Sequence, residues 1–455
     1  MTKTLKRYIN PLFFLVLFSA FVIFVVIARN NVPRGERPNI VWIVIDALRA
    51  DHLGCYGYGR DTSSFIDGFA GKGILFEHAF SQESYTQASV ASFFTSTYPW
   101  VNKVLYDKPM IDVLDPAFVT IAEILKEAGY DTAAFVFNPH LKAIFNFGQG
   151  FDLYSDGGKG LKVVLRDPGS HETAKKISAK VKRYLERTGG KRPVFLYLHY
   201  RDVHGPYMPP PPYDSVFPGP DSAYDGEIRY ADNSIRALFT LLKGYGIDNR
   251  NSVIIVTADH GEEFYDDPPP DKRSPGGHGR TLYNELIHVP LIMSIPGLPA
   301  GKRIGAYVGL IDIAPTLCDI LKIDRKRYGR FQGMTLLPVI NGEDDGHRPV
   351  YGGGKYGRGF VIRGGYKYYI DLKNKTASCM RPADNDNVMR EELYDMNADF
   401  NEVMDLSGAR PDIVSELRKE LEAFIKGSPV YGGLAASVWP DARTEEELRS
   451  LGYLQ

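Results

Sequence analysis

The chain has little cysteine and almost no net charge, and both shortages limit what it can be. Only three cysteines occur in 455 residues (Cys55, Cys318 and Cys379), too few and too scattered for a disulfide framework or a cysteine metal cluster. The 54 Lys and Arg residues are balanced by 55 Asp and Glu residues, so the formal net charge is −1. Because no Lys/Arg run forms a basic stripe either, we expect no nucleic-acid partner.

One long apolar run stands near the N-terminus. Residues 11–28 carry no charged side chain and follow a stretch that contains Lys3, Lys6 and Arg7. About 18 apolar residues lie near the lower limit for a helix that spans a bilayer, and the basic flank favours a cytoplasmic N-terminus. We therefore expect an uncleaved signal anchor and a single-pass membrane protein with its folded part on the extracytoplasmic side. A cleaved signal peptide is the alternative, although no A-x-A-like site follows the run.

Two strand patterns end on potential metal ligands. NIVWIVID (39–46) and SVIIVTADHGEE (252–263) are near-continuous apolar, β-branched runs, which are typical of strands buried on both faces of a parallel sheet. In open α/β sheets, ligands bind just beyond the carboxyl ends of the strands. We expect Asp46, Asp259 and His260 to meet at one rim and to share a cation, so the pattern indicates a metalloenzyme.

A third run of the same kind, PVFLYLHYRDVHGPY (193–207), should bring more polar side chains to that rim: His199, Asp202 and His204. Strand and helix patterns alternate up to about residue 344, which predicts a doubly wound, mostly parallel α/β sheet. From about residue 345, short aromatic segments with Gly turns predict a smaller antiparallel α+β subdomain.

The expected elements divide the chain into segments. Besides the three strands, a strand is expected over 132–138 and helices over 62–70, 118–129, 171–187, 224–246 and 412–427, with a proline-rich surface loop over 206–220. The predicted segments are a basic tail (1–10), a transmembrane anchor (11–28), a linker (29–38), a catalytic domain (39–344), a C-terminal subdomain (345–430) and a tail (431–455).

A possible nucleophile comes from SYTQASVASFFTSTYP (84–99), which predicts a helix that begins near Thr86. The positive end of the helix dipole and the free N–H groups there would favour an alkoxide at this position. If the same oxygen also bound a metal, its pKa would fall further, and the alcohol would become a nucleophile. Ser or Thr at a helix start is usually only an N-cap, so that interpretation stays open.

The order of these motifs resembles the sulfatase family of the alkaline-phosphatase-like superfamily. The resemblance covers nearly everything after residue 38 and rests on Asp46 followed by S-x-T-x-x-S-x-x-S-F-F-T-S-x-Y-P, H-x-x-x-x-H-x-P-Y, D-H-G-E, G-H-G and L-Y-N-E-L-I-H-V-P-L-I. It implies the α/β fold described above and roles for six side chains. Asp46, Asp259 and His260 match metal ligands; Thr86 matches the nucleophile; His204 matches a leaving-group acid or anion contact; and His278 matches a contact to anionic oxygens.

Two departures from that family change the expected chemistry. Sulfatases form formylglycine within a C/S-x-P-S-R tag, whereas residues 86–90 read Thr-Gln-Ala-Ser-Val. Oxidation of threonine would give a ketone and not an aldehyde. The second departure is Ala47, where many sulfatases have another Asp, so a Ca²⁺ site would be short of oxygen ligands. Two Asp, one His and the Thr86 oxygen suit Mn²⁺ or Zn²⁺ better than Ca²⁺ or Mg²⁺.

The chain therefore resembles more closely those relatives in which a threonine attacks the phosphorus atom of the substrate, such as phosphodiesterases and phosphoethanolamine transferases. We expect a metal-dependent hydrolase or transferase of anionic phosphate esters, with glycan-linked and lipid-linked esters as candidates, in which Thr86 is the nucleophile. A second metal, held by His204 and His278 with or without Asp202, is an option that stays open. The alternatives are a true sulfuric ester hydrolase without formylglycine and a catalytically inactive binding protein. The sequence does not indicate an oligomeric state.

Overall fold

A computed structural model describes most of the chain after residue 36. The described residues are 37–105, 111–157, 173–190, 192–264, 277–329, 331–344, 346, 348–354, 357–372, 388–429, 436–438 and 444–445. None of the helices among them is long and apolar enough to cross a bilayer. The expected anchor at 11–28, together with the basic tail and nearly all of the linker, lies outside the described residues.

The centre of the molecule is an eight-stranded sheet in the order β5-β4-β6-β1-β7-β8-β2-β9. Strand β8 runs antiparallel to β7 and β2, and the other neighbours are parallel. This confirms the mostly parallel sheet. Its strands are β1 (Asn39–Ile45), β2 (Ile74–Phe80), β4 (Asp131–Val136), β5 (Leu153–Ser155), β6 (Val194–Tyr200), β7 (Ser252–Thr257), β8 (His288–Ser294) and β9 (Lys302–Gly309).

Helices alternate with the strands. They are α1 (Ser64–Ala70), α2 (Thr86–Thr95), α3 (Pro99–Asn102), α4 (Ile121–Glu127), α5 (Thr173–Thr188), α6 (Ser222–Gly244), α7 (Asn284–Ile287), α8 (Ile313–Ile320), α9 (Leu337–Asn341) and α10 (Pro411–Gly427). The five expected helices all form, with shifts of up to three residues at their ends. The proline-rich stretch 206–220 contains only one short 3-10 turn, Tyr213–Ser215, because proline cannot supply the N–H that regular elements need.

A second sheet is antiparallel and has the strand order β10-β11-β12-β13. It confirms the antiparallel strands that the sequence predicts after about residue 345. Gly364 and Gly365 join β11 and β12 with φ values of 60° and 81°, a conformation that a tight hairpin requires and that glycine adopts without strain. The strands are β10 (Val350–Gly353), β11 (Arg358–Arg363), β12 (Tyr366–Leu372) and β13 (Val388–Asp395), and β3 (Ile111–Val113) pairs with β14 (Ala436–Val438) as a separate ribbon. The boundaries of the six predicted segments stay a prediction.

The core explains the apolar runs. Every residue of β1 is buried, and Trp42 at its centre contacts Phe93 of α2 with ring centroids 4.9 Å apart. Because helices cover both faces of a parallel sheet, its central strands have no solvent-facing side. Helix α2 is also buried at every position, so its first residue is held rigidly at the carboxyl end of the sheet.

Candidate active site

Three potential metal ligands meet where β1 and β7 end. Asp46 directly follows β1, and Asp259 and His260 follow β7. All three are fully buried. The Nε2 atom of His260 lies 3.7 Å from Oδ1 of Asp46 and 3.7 Å from Oδ2 of Asp259. Each residue offers a ligand atom within 4.8 Å of the other two, and in the described part of the chain no other three His, Cys, Asp or Glu residues do so. We call these three residues the rim cluster.

Each rim carboxylate has one oxygen that is held and one that is not. Oδ2 of Asp46 accepts a hydrogen bond from Nδ2 of Asn138 at 2.6 Å. Oδ1 of Asp259 accepts from the backbone N–H groups of His260 (3.0 Å) and Ala47 (3.3 Å). Oδ1 of Asp46 and Oδ2 of Asp259 are buried and accept no hydrogen bond from the described residues. Buried oxygens without a partner are costly, so two of them side by side fit a site for a cation.

The ring of His260 is oriented as a ligand requires. Its Nδ1 lies 2.8 Å from the carbonyl oxygen of Gly261, which can only accept, so Nδ1 carries the proton and Nε2 keeps its lone pair towards the carboxylates. Only glycine fits at position 261, because a Cβ there would lie 2.0 Å from the carbonyl oxygen of Glu285. The backbone after His260 therefore tolerates no side chain without moving.

The two rim carboxylates differ in their electrostatics. Burial and the neighbouring Asp259 carboxylate raise the pKa of Asp46. Burial alone would also raise the pKa of Asp259, but His260 and His199 hold it below its usual range. His199, on β6, places its Nε2 3.5 Å from Oδ2 of Asp259. Two neighbouring buried carboxylates repel each other, and positive charge at this point relieves that repulsion.

Thr86 lies beside the rim cluster as the first residue of α2, after Tyr85 in an extended conformation. Its Oγ1 is 3.2 Å from Nε2 of His260 and 3.1 Å from Nδ2 of Asn138. Thr86 is therefore inside the helix, and Tyr85 occupies the cap position, so the N-cap interpretation of Thr86 is wrong. The N–H groups of the first helical turn have no partner within the helix, and together with the helix dipole they favour negative charge there.

Asn138 belongs to the site, although the sequence did not single it out. It follows β4, and its Oδ1 accepts the backbone N–H of His140 at 2.8 Å. This fixes the amide so that Nδ2 donates both to Thr86 and to Asp46. The signal that could have found it is its place at the end of the predicted strand 132–138, on the same rim as Asp46.

His204 and His278 also reach the site. The ring centroid of His278 lies 4.4 Å from that of His260 and 4.9 Å from that of His204. Nδ1 of His278 donates to Oε1 of Glu262 at 2.9 Å; burial opposes its protonation, but Glu262 raises its pKa above the usual value. Burial, Arg201 and His278 hold the pKa of His204 well below its usual value. Of these two histidines, His278 is therefore the one whose surroundings favour the protonated form.

Asp202 is engaged elsewhere. One carboxylate oxygen accepts the hydroxyl of Thr173, and the other accepts the N–H of Ala174 at 3.2 Å, both at the start of α5. The described residues hold no second group of potential ligands around His204 and His278. The arrangement thus gives no support to Asp202 as a ligand of a second metal.

Comparison with known proteins agrees with this geometry. The sequence model of the sulfatase family matches residues 38–323. The chain belongs to the sulfatase family. An N-acetylgalactosamine-6-O-sulfatase of Bacteroides thetaiotaomicron is 23% identical over 488 residues, which cover 87% of this chain and 95% of that relative.

Solved structures share the fold at low identity. The phosphonate monoester hydrolase of Agrobacterium radiobacter superposes with a TM-score of 0.67 at 19% identity, over 86% of this chain and 95% of that structure. A structure in complex with D-glucosamine-2-N,6-O-disulfate has the same TM-score and identity, over 86% of this chain and 98% of its own. The protein is thus a sulfatase-like hydrolase with the alkaline-phosphatase-like fold.

Proposed function

We propose that this sulfatase-family enzyme is a metal-dependent hydrolase or transferase of phosphate esters and that Thr86 is its nucleophile. One observation carries the proposal: the Thr86 hydroxyl lies at the start of α2, 3.2 Å from His260 Nε2, beside a buried cluster with two unpartnered carboxylate oxygens. The helix start favours an alkoxide at this position, and a cation held by the cluster would offset the repulsion from the two carboxylates.

The donor set fits a divalent cation. Asp46, Asp259, His260 and the Thr86 hydroxyl would hold it, because their free lone pairs converge within a few ångströms. When bound, a divalent cation would favour the ionised hydroxyl and offset charge on the ester oxygens. With Ala47 in place of another carboxylate, we propose Mn²⁺ or Zn²⁺ rather than Ca²⁺ or Mg²⁺.

The chain's own groups supply the remaining chemistry. The Thr86 alkoxide attacks phosphorus in line, the bond from phosphorus to the leaving oxygen breaks, and that oxygen takes a proton from His204. Water or an acceptor alcohol then attacks phosphorus, gives its proton to His204 and releases the Thr86 alkoxide. Asn138 donates to Thr86 in the free protein and keeps its oxygen in place. His278 contributes positive charge for the anionic oxygens.

His204 needs a proton before it can act as an acid. Its depressed pKa leaves it neutral in the free protein, with Nδ1–H donated to the carbonyl of Gly205 at 2.7 Å. An anionic ester bound nearby raises the pKa of an imidazole. We therefore propose that His204 is protonated as the substrate binds, and that His278 carries the positive charge before then.

Phosphate is preferred over sulfate because of residue 86. Its threonine has a second substituent on Cβ and cannot become formylglycine, and the proline and arginine of the sulfatase tag are absent from residues 86–90. The alternative, a sulfuric ester hydrolase without formylglycine, is favoured by the sulfatase relatives. A catalytically inactive binding protein is disfavoured, because such a protein has no reason to keep the rim cluster together.

We also propose that residues 11–28 anchor the enzyme in a membrane and that residues 39–344 form its catalytic domain on the extracytoplasmic side. The support is the uncharged run and its basic flank. The substrate is then an anionic ester that reaches the enzyme outside the cytoplasm, with glycan-linked and lipid-linked esters as the candidates.

The test is a comparison of initial rates of the full-length chain, loaded with Mn²⁺ or Zn²⁺, on aryl phosphate monoesters, aryl phosphate diesters and an aryl sulfate. We expect phosphoester turnover that Thr86→Ala abolishes and Thr86→Ser largely keeps, since serine retains the hydroxyl. Thr95→Ala, at the other end of α2, is the matched control and should retain activity.

Three outcomes would change the account. Turnover of the sulfate alone would replace the proposal by the sulfatase alternative. Full activity of Thr86→Ala would remove Thr86 from the mechanism. Absence of both turnover and bound metal would favour the binding protein.

A further inference from the structure

A groove between α1 and α6, at some distance from the active site, has an aromatic floor. It encloses about 630 Å³. The rings of Phe65 and Phe69, from α1, meet Phe239 of α6 edge-on, with centroids 5.0 and 5.4 Å apart. All three side chains are only half-buried, so the groove presents apolar rings to its opening. Aromatic rings open to solvent in a groove are typical of an interaction surface. We call this feature the α1–α6 groove.

The rim of the α1–α6 groove is basic. Four cations line it, and Asp248 is the one carboxylate among its lining residues: the cations are Lys72, Arg236, Lys243 and Arg250. Arg250 pairs with Asp248 at 2.6 Å, and Arg236 lies 3.7 Å from Asp232 beneath it. Lys72 and Lys243 are exposed and have no ion pair within the described residues. The groove therefore carries a positive charge that the described part of the protein does not neutralise.

The groove lies at the amino end of the central sheet, opposite the catalytic rim. Its wall at 248–250 leads into β7, and Lys72 precedes β2. The central strands β1 and β7 are seven and six residues long, so the two ends of the sheet are roughly 20 Å apart there. The chain also enters the domain at this end, because the N–H of Asn39 donates to the carbonyl of Asn251 at 2.9 Å, directly beside the groove wall.

The path of the chain connects the groove to a membrane. About eight residues separate the proposed anchor at 11–28 from residue 37, and an extended stretch of that length spans at most about 29 Å. The groove would therefore be held close to the bilayer surface. Lys/Arg side chains are attracted to anionic lipid head groups, and aromatic rings favour the interface between head groups and acyl chains.

We propose that the α1–α6 groove is a docking site for anionic lipid head groups, which holds the amino end of the sheet against the membrane and turns the catalytic rim away from it. Charge disfavours two other occupants. The N-terminal segment is itself basic, with Lys3, Lys6, Arg7, Arg29 and Arg34. A second copy that presented the same groove would bring like charges together. This proposal goes beyond the proposed activity and does not depend on which ester is cleaved.

The test is hydrogen exchange of the full-length chain in vesicles of phosphatidylcholine, with or without phosphatidylglycerol at about one third of the lipid. We expect the chain to float with both vesicles. Amides in 64–72 and 236–250 should be protected only when phosphatidylglycerol is present. The double variant Lys72→Glu/Lys243→Glu should dock at least about 25-fold more weakly, since each cation near an anionic surface contributes about fivefold.

The matched control is Lys326→Glu/Lys419→Glu, which makes the same charge change at exposed positions outside the groove. It should keep the protection. Because Lys72 and Lys243 lie outside the active site, both double variants should also keep their activity on a small soluble ester. Failure to float would overturn the proposed anchor, on which this proposal rests. Equal protection in both vesicles, or protection that persists in Lys72→Glu/Lys243→Glu, would overturn the groove assignment itself. Protection in detergent without vesicles would assign the groove to a contact between copies instead.

Discussion

Two buried clusters of charged and polar groups differ in how many of their atoms have partners inside the protein. The rim cluster holds two carboxylates and an imidazole. A second group, here called the junction cluster, consists of Lys367 on β12, Asn284 on α7 and Glu402 after β13. It connects the antiparallel sheet to the segment before β8. Lys367 Nζ lies 2.6 Å from Oε1 of Glu402, 2.9 Å from Oδ1 of Asn284 and 2.7 Å from the carbonyl oxygen of Leu282.

The difference separates a structural cluster from a functional one. Lys367 donates hydrogen bonds to Oδ1 of Asn284 and to the carbonyl oxygen of Leu282, and its charge is paired with the Glu402 carboxylate. The rim cluster leaves one oxygen on each of its two carboxylates without a hydrogen bond. Burial is equal in the two places, so burial of charge alone does not mark an active site. Unpartnered ligand atoms that converge on one point do.

The largest expected effect comes from removing a charge at the rim. Asp46→Asn takes away one of the two unpartnered carboxylate oxygens, and we expect kcat/KM on a phosphoester to fall by about 10⁴-fold, equivalent to about 5.5 kcal/mol of activation free energy. The stability of the metal-free protein should stay the same or rise, because the repulsion between Asp46 and Asp259 is relieved. If Asp46→Asn unfolded at a lower urea concentration than the wild type, the rim cluster would stabilise the fold as the junction cluster does, which would contradict the distinction between them.

The opposite result is expected at the junction. Lys367→Met leaves the Glu402 carboxylate buried without its ammonium partner, which should lower the free energy of unfolding by about 3–5 kcal/mol. Activity per folded molecule should change little, since Lys367 does not touch the rim cluster. Urea unfolding combined with active-site titration measures both quantities. Activity that is lost while stability is kept would contradict the division between the clusters.

Another buried carboxylate extends the comparison to the pH dependence of stability. Asp202 has hydrogen bonds but no paired cation among the described residues, and burial raises its pKa from 3.8 to about 6. A raised folded-state pKa means that the folded protein binds the proton more tightly than the unfolded one. The contribution of Asp202 to stability is therefore greatest below about pH 4 and is lost as the pH rises through about 6, a change of about 3 kcal/mol at most.

Asp202→Asn removes this titration. The free energy of unfolding of wild type minus that of the variant should fall between about pH 4 and pH 7. A flat difference would show that the Asp202 carboxylate is no harder to ionise in the folded protein than in the unfolded one.

The smallest effect is expected from Asn138. Asn138→Ala removes the donor to Thr86 and to Asp46 but none of the proposed ligands, so kcat should fall by about 10–100-fold. Because Asn138 positions other groups, KM for the ester should move less than kcat. Asn233→Ala, on the solvent side of α6, is the control. A loss as large as that of Asp46→Asn would mean that Asn138 has a more direct part in the reaction.

The strand patterns in the sequence predicted where the rim cluster lies. Apolar runs that are buried on both faces end at the carboxyl edge of a parallel sheet, which places Asp46, Asp259 and His260 together without further information. The pattern of residues 84–99 placed Thr86 at the start of a helix, and the apolar run 193–207 placed His204 at the same rim. The family resemblance added His278, which lies between His260 and His204 in the structure.

Other parts of the site could not be predicted in this way. Asn138 matters because its amide bridges Thr86 and Asp46, residues 52 and 92 positions away, and no local pattern records such contacts. The pairing of His278 with Glu262 is equally hard to predict, because the two residues are 16 positions apart and no local pattern records their contact. Lys367 lies within an aromatic β-strand pattern, and only the approach of the second sheet to α7 gives it its partners.

The most direct test is calorimetric titration of the metal-stripped, full-length chain with Mn²⁺. The account predicts one ion bound per chain, loss of that binding in Asp46→Asn, and unchanged binding in Lys367→Met, since the partners of Lys367 are Glu402, Asn284 and the carbonyl of Leu282 and not the rim cluster. No binding by the wild type, or binding that survives in Asp46→Asn, would contradict the assignment of the rim cluster as the metal site.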